Sequence, residues 1–296
     1  SRKHHAVPPP AHTGARAWLV ESVLIVTVLV QAGLVVNAFG TAEQVTITAH
    51  RGNAFVAPEN SASAIHRAIK DGADYLEVDV RMTRDGKLVL WHDANLARLL
   101  GRPERISSLL WDDIRELDAG SWFSPDFAGE PILTLEELIN ITRGRARLFL
   151  DLKPDHNSRD LARRVVELLQ RENAVEGTII AAAQRHVLNE TRALEPALRT
   201  ALLAQFVIGP LDSGQFDILG LRYNQASAAA VARARQLGYE LHVWTVNQPA
   251  EMSRMIDMGV DNIITDRPDV LARLLSARKE LTDGERLALK LRNWLR

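Results

Sequence analysis

Nine short apolar runs, separated by helix-like stretches, constrain this 296-residue chain more than any other feature. They are Val45–His50, Tyr75–Val80, Leu88–His92, Ala146–Leu152, Thr178–Ala183, Thr200–Ala204, Phe216–Leu221, Glu240–Val246 and Asn262–Thr265. Most lack the polar alternation of a strand with one wet face, so they read as strands covered on both sides. Between them, Ser61–Lys70, Leu135–Thr142, Asp160–Gln170, His186–Leu194, Ala226–Leu237 and Pro249–Met258 read as helices. Asp71-Gly72 and Leu237-Gly238 supply two of the stops. A β-then-α order implies parallel strands joined by helical crossovers. Residues 41–275 therefore fit an irregular (β/α)8 TIM barrel, with a doubly wound open sheet as the rival. Nine runs exceed eight staves, and Arg81–Lys87 is too short for a crossover helix, so the irregularity is expected there. Ala94–Leu133 is a long excursion, a candidate lid or substrate loop.

Outside the barrel, residues 1–16 read as a disordered basic segment containing Pro8-Pro9-Pro10. Residues 17–40 hold Trp18–Phe39, an apolar stretch in which only Glu21 is charged. At ~1.5 Å per residue this stretch reaches roughly 33 Å, enough for a bilayer core of ~30 Å. It lacks the polar stripe of a core helix and exceeds the apolar region of a signal peptide, so a transmembrane helix is expected. Basic residues precede it and Arg51 is the first to follow, which places the barrel outside the cytoplasm, on the cell membrane. Residues 276–296 read as an amphipathic basic helix, opened by the capping box Thr282-Asp-Gly-Glu285. Leu287, Leu291, Trp294 and Leu295 share its apolar face, which either packs back on the barrel or rests on an anionic membrane. A formal net charge of -1 argues against a nucleic-acid partner. The absence of cysteine excludes disulfides and thiolate zinc sites.

The chemistry gathers at strand ends. Glu77 and Asp79 alternate with apolar residues on one strand and so share a face. Two carboxylates side by side repel, and a hard divalent cation between them relieves the repulsion. His50 precedes this pair and His92 follows it, each at the end of an apolar run, as an acid and base flanking a metal would be. Arg51 offers a planar fork suited to phosphate oxygens, and Gly52 permits close approach of the backbone to a ligand. Asp151 and Lys153 share a face of another strand. They complete a metal shell and neutralise phosphate, or simply pair with each other. Glu59 lies just before a helix start that Asn60 or Ser61 caps, and is a further candidate to face the metal. Trp244 serves as an apolar wall for a glycerol or acyl group, or only fills the barrel.

In order, His50-Arg-Gly, Pro58-Glu-Asn-Ser61, Gly72-Ala-Asp, Glu77-Val-Asp-Val80, Thr83-Arg-Asp-Gly86, His92-Asp93, Leu117-Asp-Ala-Gly-Ser-Trp122, Gly129-Glu-Pro-Ile-Leu-Thr-Leu-Glu136, Trp244-Thr-Val-Asn247 and Gly259-Val-Asp with Thr265-Asp266 cover nearly all of Val45–Leu275. This series resembles the glycerophosphodiester phosphodiesterase family of phospholipase-C-like barrels. The resemblance implies a divalent metal, Ca²⁺ or Mg²⁺, and cleavage of a glycerophosphodiester to glycerol 3-phosphate and an alcohol. It implies His50 and His92 as general acid and base, Glu77 and Asp79 as metal ligands, and Arg51 and Lys153 as phosphate binders. Two departures stand out: the family usually has Glu at Asp151 and Pro at Leu133. A lysophospholipase D, or another lipid-headgroup phosphodiesterase acting on lysophospholipid, is the alternative, and a non-catalytic barrel the third. The family includes bacterial members whose barrel follows a multi-helix membrane domain, and this chain looks like the C-terminal part of one.

Overall fold

The computed structural model describes residues 45–155, 158–204 and 213–294. The expected basic segment and the expected membrane helix, Trp18–Phe39, lie outside the described residues. Among those described, no helix is long and apolar enough to cross a membrane.

Eight parallel strands close into a barrel. They are β1 (Thr46–His50), β2 (Tyr75–Met82), β6 (Arg147–Leu152), β7 (Ile179–Ala182), β8 (Arg199–Ala204), β9 (Ile218–Arg222), β10 (Glu240–Trp244) and β11 (Asn262–Thr265). Because β1 pairs with both β11 and β2, the ring of eight staves is closed, which rules out the doubly wound alternative. The surplus run, Leu88–His92, supplies β3 (Leu88–Leu90), which pairs antiparallel with β2 across the short connection expected at Arg81–Lys87 and is no stave. Within the excursion, β4 (Asn95–Leu96) and β5 (Arg102–Arg105) form a small hairpin. The excursion shares a separate core with the β3 segment: Leu96, Ile106, Ile114 and Ile132 pack with Val89 and Trp91.

Strand alternation sorts the remaining apolar side chains into two layers. Outward residues such as Leu76, Val78, Leu148 and Leu150 pack beneath the helices, and inward Tyr75, Phe149, Ile179, Ile218 and Ile264 fill the barrel. The helix Ala62–Lys70 shows how a crossover is fixed. Ser61 caps it by accepting from Ala64 N at 3.1 Å, and Ala64, Ile65 and Ala68 form its buried face.

At the N-terminal end of the barrel, three aspartates repeat one device. Asp74 accepts from Ile47 N at 2.8 Å, Asp217 from Thr200 N at 2.7 Å, and Asp261 from Leu241 N at 2.7 Å. Each sits just before its own strand and ties down the neighbouring one.

The barrel boundary expected at Leu275 falls inside a further helix, Pro268–Lys279. The last helix, Asp283–Trp294, packs on Pro249–Met258. Asn293 donates to Ser253 Oγ and Asp257 Oδ2, while the buried Arg278 donates to the same two side chains. This helix thus packs on the barrel through Asn293, while Leu291 of the expected apolar face is exposed; the Trp294 side chain, Leu295 and Arg296 lie outside the described residues.

Candidate active site

The inward face of β2 carries Glu77 and Asp79 at the C-terminal end of the barrel. On the adjacent β6, Asp151 stands in register with Asp79, and on β1 His50 stands in register with Glu77. Backbone pairing therefore brings the three carboxylates together: oxygens of Glu77, Asp79 and Asp151 all lie within 4.8 Å of one another, and all three residues are buried. They line a cavity of 370 Å³ with His50, Arg51, His92, Lys153 and Trp244. Eight of the nine site residues expected from sequence thus face one space.

Each imidazole is held from behind. His50 Nδ1 lies 2.6 Å from Asp266 Oδ1, and Asp266 is steadied by Asn247, whose Oδ1 accepts from Asp266 N at 3.0 Å. His92 Nδ1 lies 2.7 Å from Asp93 Oδ1, and Arg98 holds the other oxygen of Asp93. Both rings keep Nε2 free of these carboxylates, the arrangement that fixes ring orientation for proton transfer. The cations are equally anchored. Lys153 bridges Asp151 and Asp79, and Arg51 donates to Glu59 at 2.9 Å. Arg51 Nε is 3.2 Å from Asp79 Oδ2 yet forms no hydrogen bond, so that contact is one of charge alone.

Burial and charge divide the three acids. Burial pushes Glu77 up to about 7, and Asp79 beside it acts in the same direction. Burial also pushes Asp151 up to about 6 against the pull of Lys153. Burial acts on Asp79 too, but Lys153 and Arg51 outweigh it and hold this carboxyl well below the usual range. The histidines diverge as well. Burial opposes a charged His50, but Glu77 and the Asp266 hydrogen bond overcome it and raise the pKa. Burial lowers His92; Asp79 pulls the other way, but Arg51 and Lys153 help burial win.

Two expectations need correction. Glu59 is the ninth candidate, and it is not part of the acid cluster: its carboxylate is taken by Arg51 and Arg98. Gly52 brings the backbone close to the helix Ala62–Lys70 rather than to a ligand. Its φ is +81°, and a Cβ there would meet the Ala64 carbonyl carbon at 2.7 Å. Three other residues carried no expected role at the site, although Asn60 was a candidate cap for the helix that Ser61 in fact caps. Asn60, at φ +59°, donates to Asp79 Oδ2 at 2.9 Å and accepts from Asp79 N at 3.1 Å. Asp266 supports His50. Arg222, at the end of β9, lines the cavity opposite the acid cluster. Asn60 and Asp266 stand inside motifs already noted, Pro58–Ser61 and Thr265-Asp266, which was the available signal. For Arg222 there was none.

The glycerophosphoryl diester phosphodiesterase family model matches residues 50–270. The chain belongs to this family. The family is one of phosphoric diester hydrolases, and the chain is such an enzyme. It is 31% identical over 240 residues to the glycerophosphodiester phosphodiesterase of Caldanaerobacter subterraneus, covering 77% of this chain and 97% of that protein. It is 33% identical over 252 residues to probable glycerophosphodiester phosphodiesterase 2 of Mycobacterium tuberculosis, covering 78% and 91%. Among solved structures, a glycerophosphodiester phosphodiesterase from Parabacteroides distasonis matches at TM-score 0.69 and 29% identity, over 80% of this chain and 99% of that one. The barrel is also shared with an Oleispira antarctica phosphodiesterase solved with its product sn-glycerol-3-phosphate, at TM-score 0.73 and 24% identity, over 78% and 96%. That likeness concerns the fold.

Proposed function

We propose that this chain hydrolyses glycerophosphodiesters to glycerol 3-phosphate and an alcohol, with a divalent cation, Ca²⁺ or Mg²⁺, on Glu77, Asp79 and Asp151. The observation that carries the proposal is the pair of carboxylate-oriented imidazoles opening on the same cavity as the acid cluster. The donor set fits a hard cation: three buried carboxylates offer only oxygen. Burial, with Asp79 adding to it, pushes two of them, Glu77 and Asp151, up to about 7 and about 6, and a cation between them would favour their charged forms. A cation bound there supplies charge neutralisation to the phosphodiester.

The chain's own residues do the rest. Arg51 and Lys153 bind the non-bridging phosphate oxygens and draw off the charge that grows as the attacking oxygen bonds to phosphorus. One imidazole takes the proton of the attacking hydroxyl, either water or the neighbouring glycerol hydroxyl. The other gives a proton to the departing alkoxide as its bond to phosphorus breaks. Trp244 lines the wall where an alcohol arm lies. The test is glycerol 3-phosphate release by the full chain from a panel of glycerophosphodiesters with Ca²⁺ or Mg²⁺; no release from any of them sinks the proposal.

A lysophospholipase D activity is the second reading. It is favoured by Phe55 and Val56, exposed at 57% and 37% on the loop that follows His50. Faster turnover of a lysophospholipid than of glycerophosphocholine would select it. We also propose that Trp18–Phe39 anchors the barrel outside the cytoplasm. Phe39 is seven residues from Thr46, a reach of roughly 25 Å at full extension. Recovery of the full chain in the soluble fraction of lysed cells would contradict the anchor.

A further inference from the structure

The cavity has two unlike sides. The phosphate-binding cations, Arg51 and Lys153, stand by β1, β2 and β6, and both are tied into ion pairs with buried acids. In the ring of staves, β9 lies diametrically opposite β2. There the wall is Leu203 of β8, with Trp244 and Arg222 in register on adjacent strands, while Ala183 and Ile264 line the cavity between the two sides. The Arg222 guanidinium carbon lies 5.5 Å from the centre of the Trp244 ring, so the aromatic face already has a cation. Among the described residues, Arg222 has no carboxylate partner.

We propose that Arg222 and Trp244 form the subsite for the leaving alcohol and select against cationic alcohols, so that neutral ones such as glycerol are preferred to choline or ethanolamine. This rests on the phosphodiesterase reading above. A diester held by its phosphate beside β2 must run one arm across the cavity to the far wall. The glycerol arm is common to every substrate, so a charge on that wall discriminates only through the variable arm. Trp244 alone would attract a quaternary ammonium. With Arg222 over its face, that ammonium meets a like charge and a ring already engaged, and the repulsive contact sets the preference.

The test uses the full chain and reads kcat/KM for glycerophosphoglycerol, glycerophosphoethanolamine and glycerophosphocholine by glycerol 3-phosphate release. The wild type should prefer glycerophosphoglycerol. Arg222→Gln should shift the ratio toward the two cationic substrates about tenfold, which corresponds to loss of one partly screened charge contact. Arg222→Lys should keep the wild-type ratio. Calorimetric binding of the same compounds to a His92→Ala protein should show the same preference without turnover. A wild type that prefers glycerophosphocholine overturns the proposal, and so does an unchanged ratio in a folded, active Arg222→Gln protein. If Arg222→Gln fails to fold, the wild type decides through salt: its preference must narrow as ionic strength rises, and a salt-independent ratio overturns the proposal. Inactivity of the wild type on all three compounds would instead sink the phosphodiesterase reading on which this rests.

Discussion

The two ends of the barrel use the same side chains for opposite purposes. At the N-terminal end, Asp74, Asp217 and Asp261 stand apart, and each accepts from the main chain of a neighbouring strand. Their charge is spread onto neutral N–H donors, and the result is a fixed register. At the C-terminal end, Glu77, Asp79 and Asp151 crowd within 4.8 Å of one another, with burial and mutual repulsion raising two of the three. On the proposed function, the first set of acids is architecture and the second is chemistry. This division follows the rule that barrel enzymes keep catalysis at the strand C-termini and stability at the other end.

The largest expected effect is at the mouth. His50→Ala or His92→Ala should lower kcat/KM by about 10²–10⁴-fold, with the thermal transition little changed. Wild-type-like turnover by either purified variant would remove that histidine from the chemistry. At the other end, Asp261→Ala should do the reverse. It leaves Leu241 N without its acceptor and should cost about 1–3 kcal/mol in denaturant unfolding, while kcat/KM stays within a few-fold. A stable but inactive Asp261→Ala protein would break the contrast between the ends.

Glu77→Gln sharpens the comparison. The amide still accepts from Arg51 N, now 2.8 Å from a Glu77 oxygen, and removes one of three crowded charges. Activity should collapse, while stability changes by under ~1 kcal/mol or rises, as at sites shaped for function rather than stability. A large loss of stability would show Glu77 to be architectural.

The smallest effect concerns His242, inside the barrel between the two ends. Burial lowers its pKa despite its bond to Glu240; Arg199 adds to the lowering and Asp261 opposes it. The native state holds the ring neutral, so stability is complete above the unfolded value and is lost as pH falls below it, while only the unfolded chain takes up the proton. The slope from this one group is at most ~1.4 kcal/mol per pH unit. His242→Gln should flatten the decline of Tm between about pH 6.5 and 5; an identical decline would place its cause elsewhere.

Periodicity made the staves legible, because burial on both faces leaves a chemical trace in each run. It does not report pairing, so whether the nine runs closed or stayed open had to come from β1 bonding to β11 as well as β2. The same logic divides the site. Glu77 with Asp79, and Asp151 with Lys153, were readable because i and i+2 on one strand must share a face. Glu59 was misread because the partners that claim it, Arg51 and Arg98, come from separate segments, the turn after β1 and the short helix Ala97–Leu100. Asp266 was visible as a residue but not as a support for His50, since 216 positions separate them in sequence. Arg222 lies just past the expected run Phe216–Leu221, where the sequence looks like any other stave end. Its meaning comes only from the strand opposite.

The central claim is that the acid cluster works through a divalent cation. The most direct measurement is glycerol 3-phosphate release by the full chain in excess chelator, followed by addition of Ca²⁺ or Mg²⁺ beyond the chelator. Activity should vanish in the first condition and return in the second. Undiminished release with every divalent ion sequestered would contradict it.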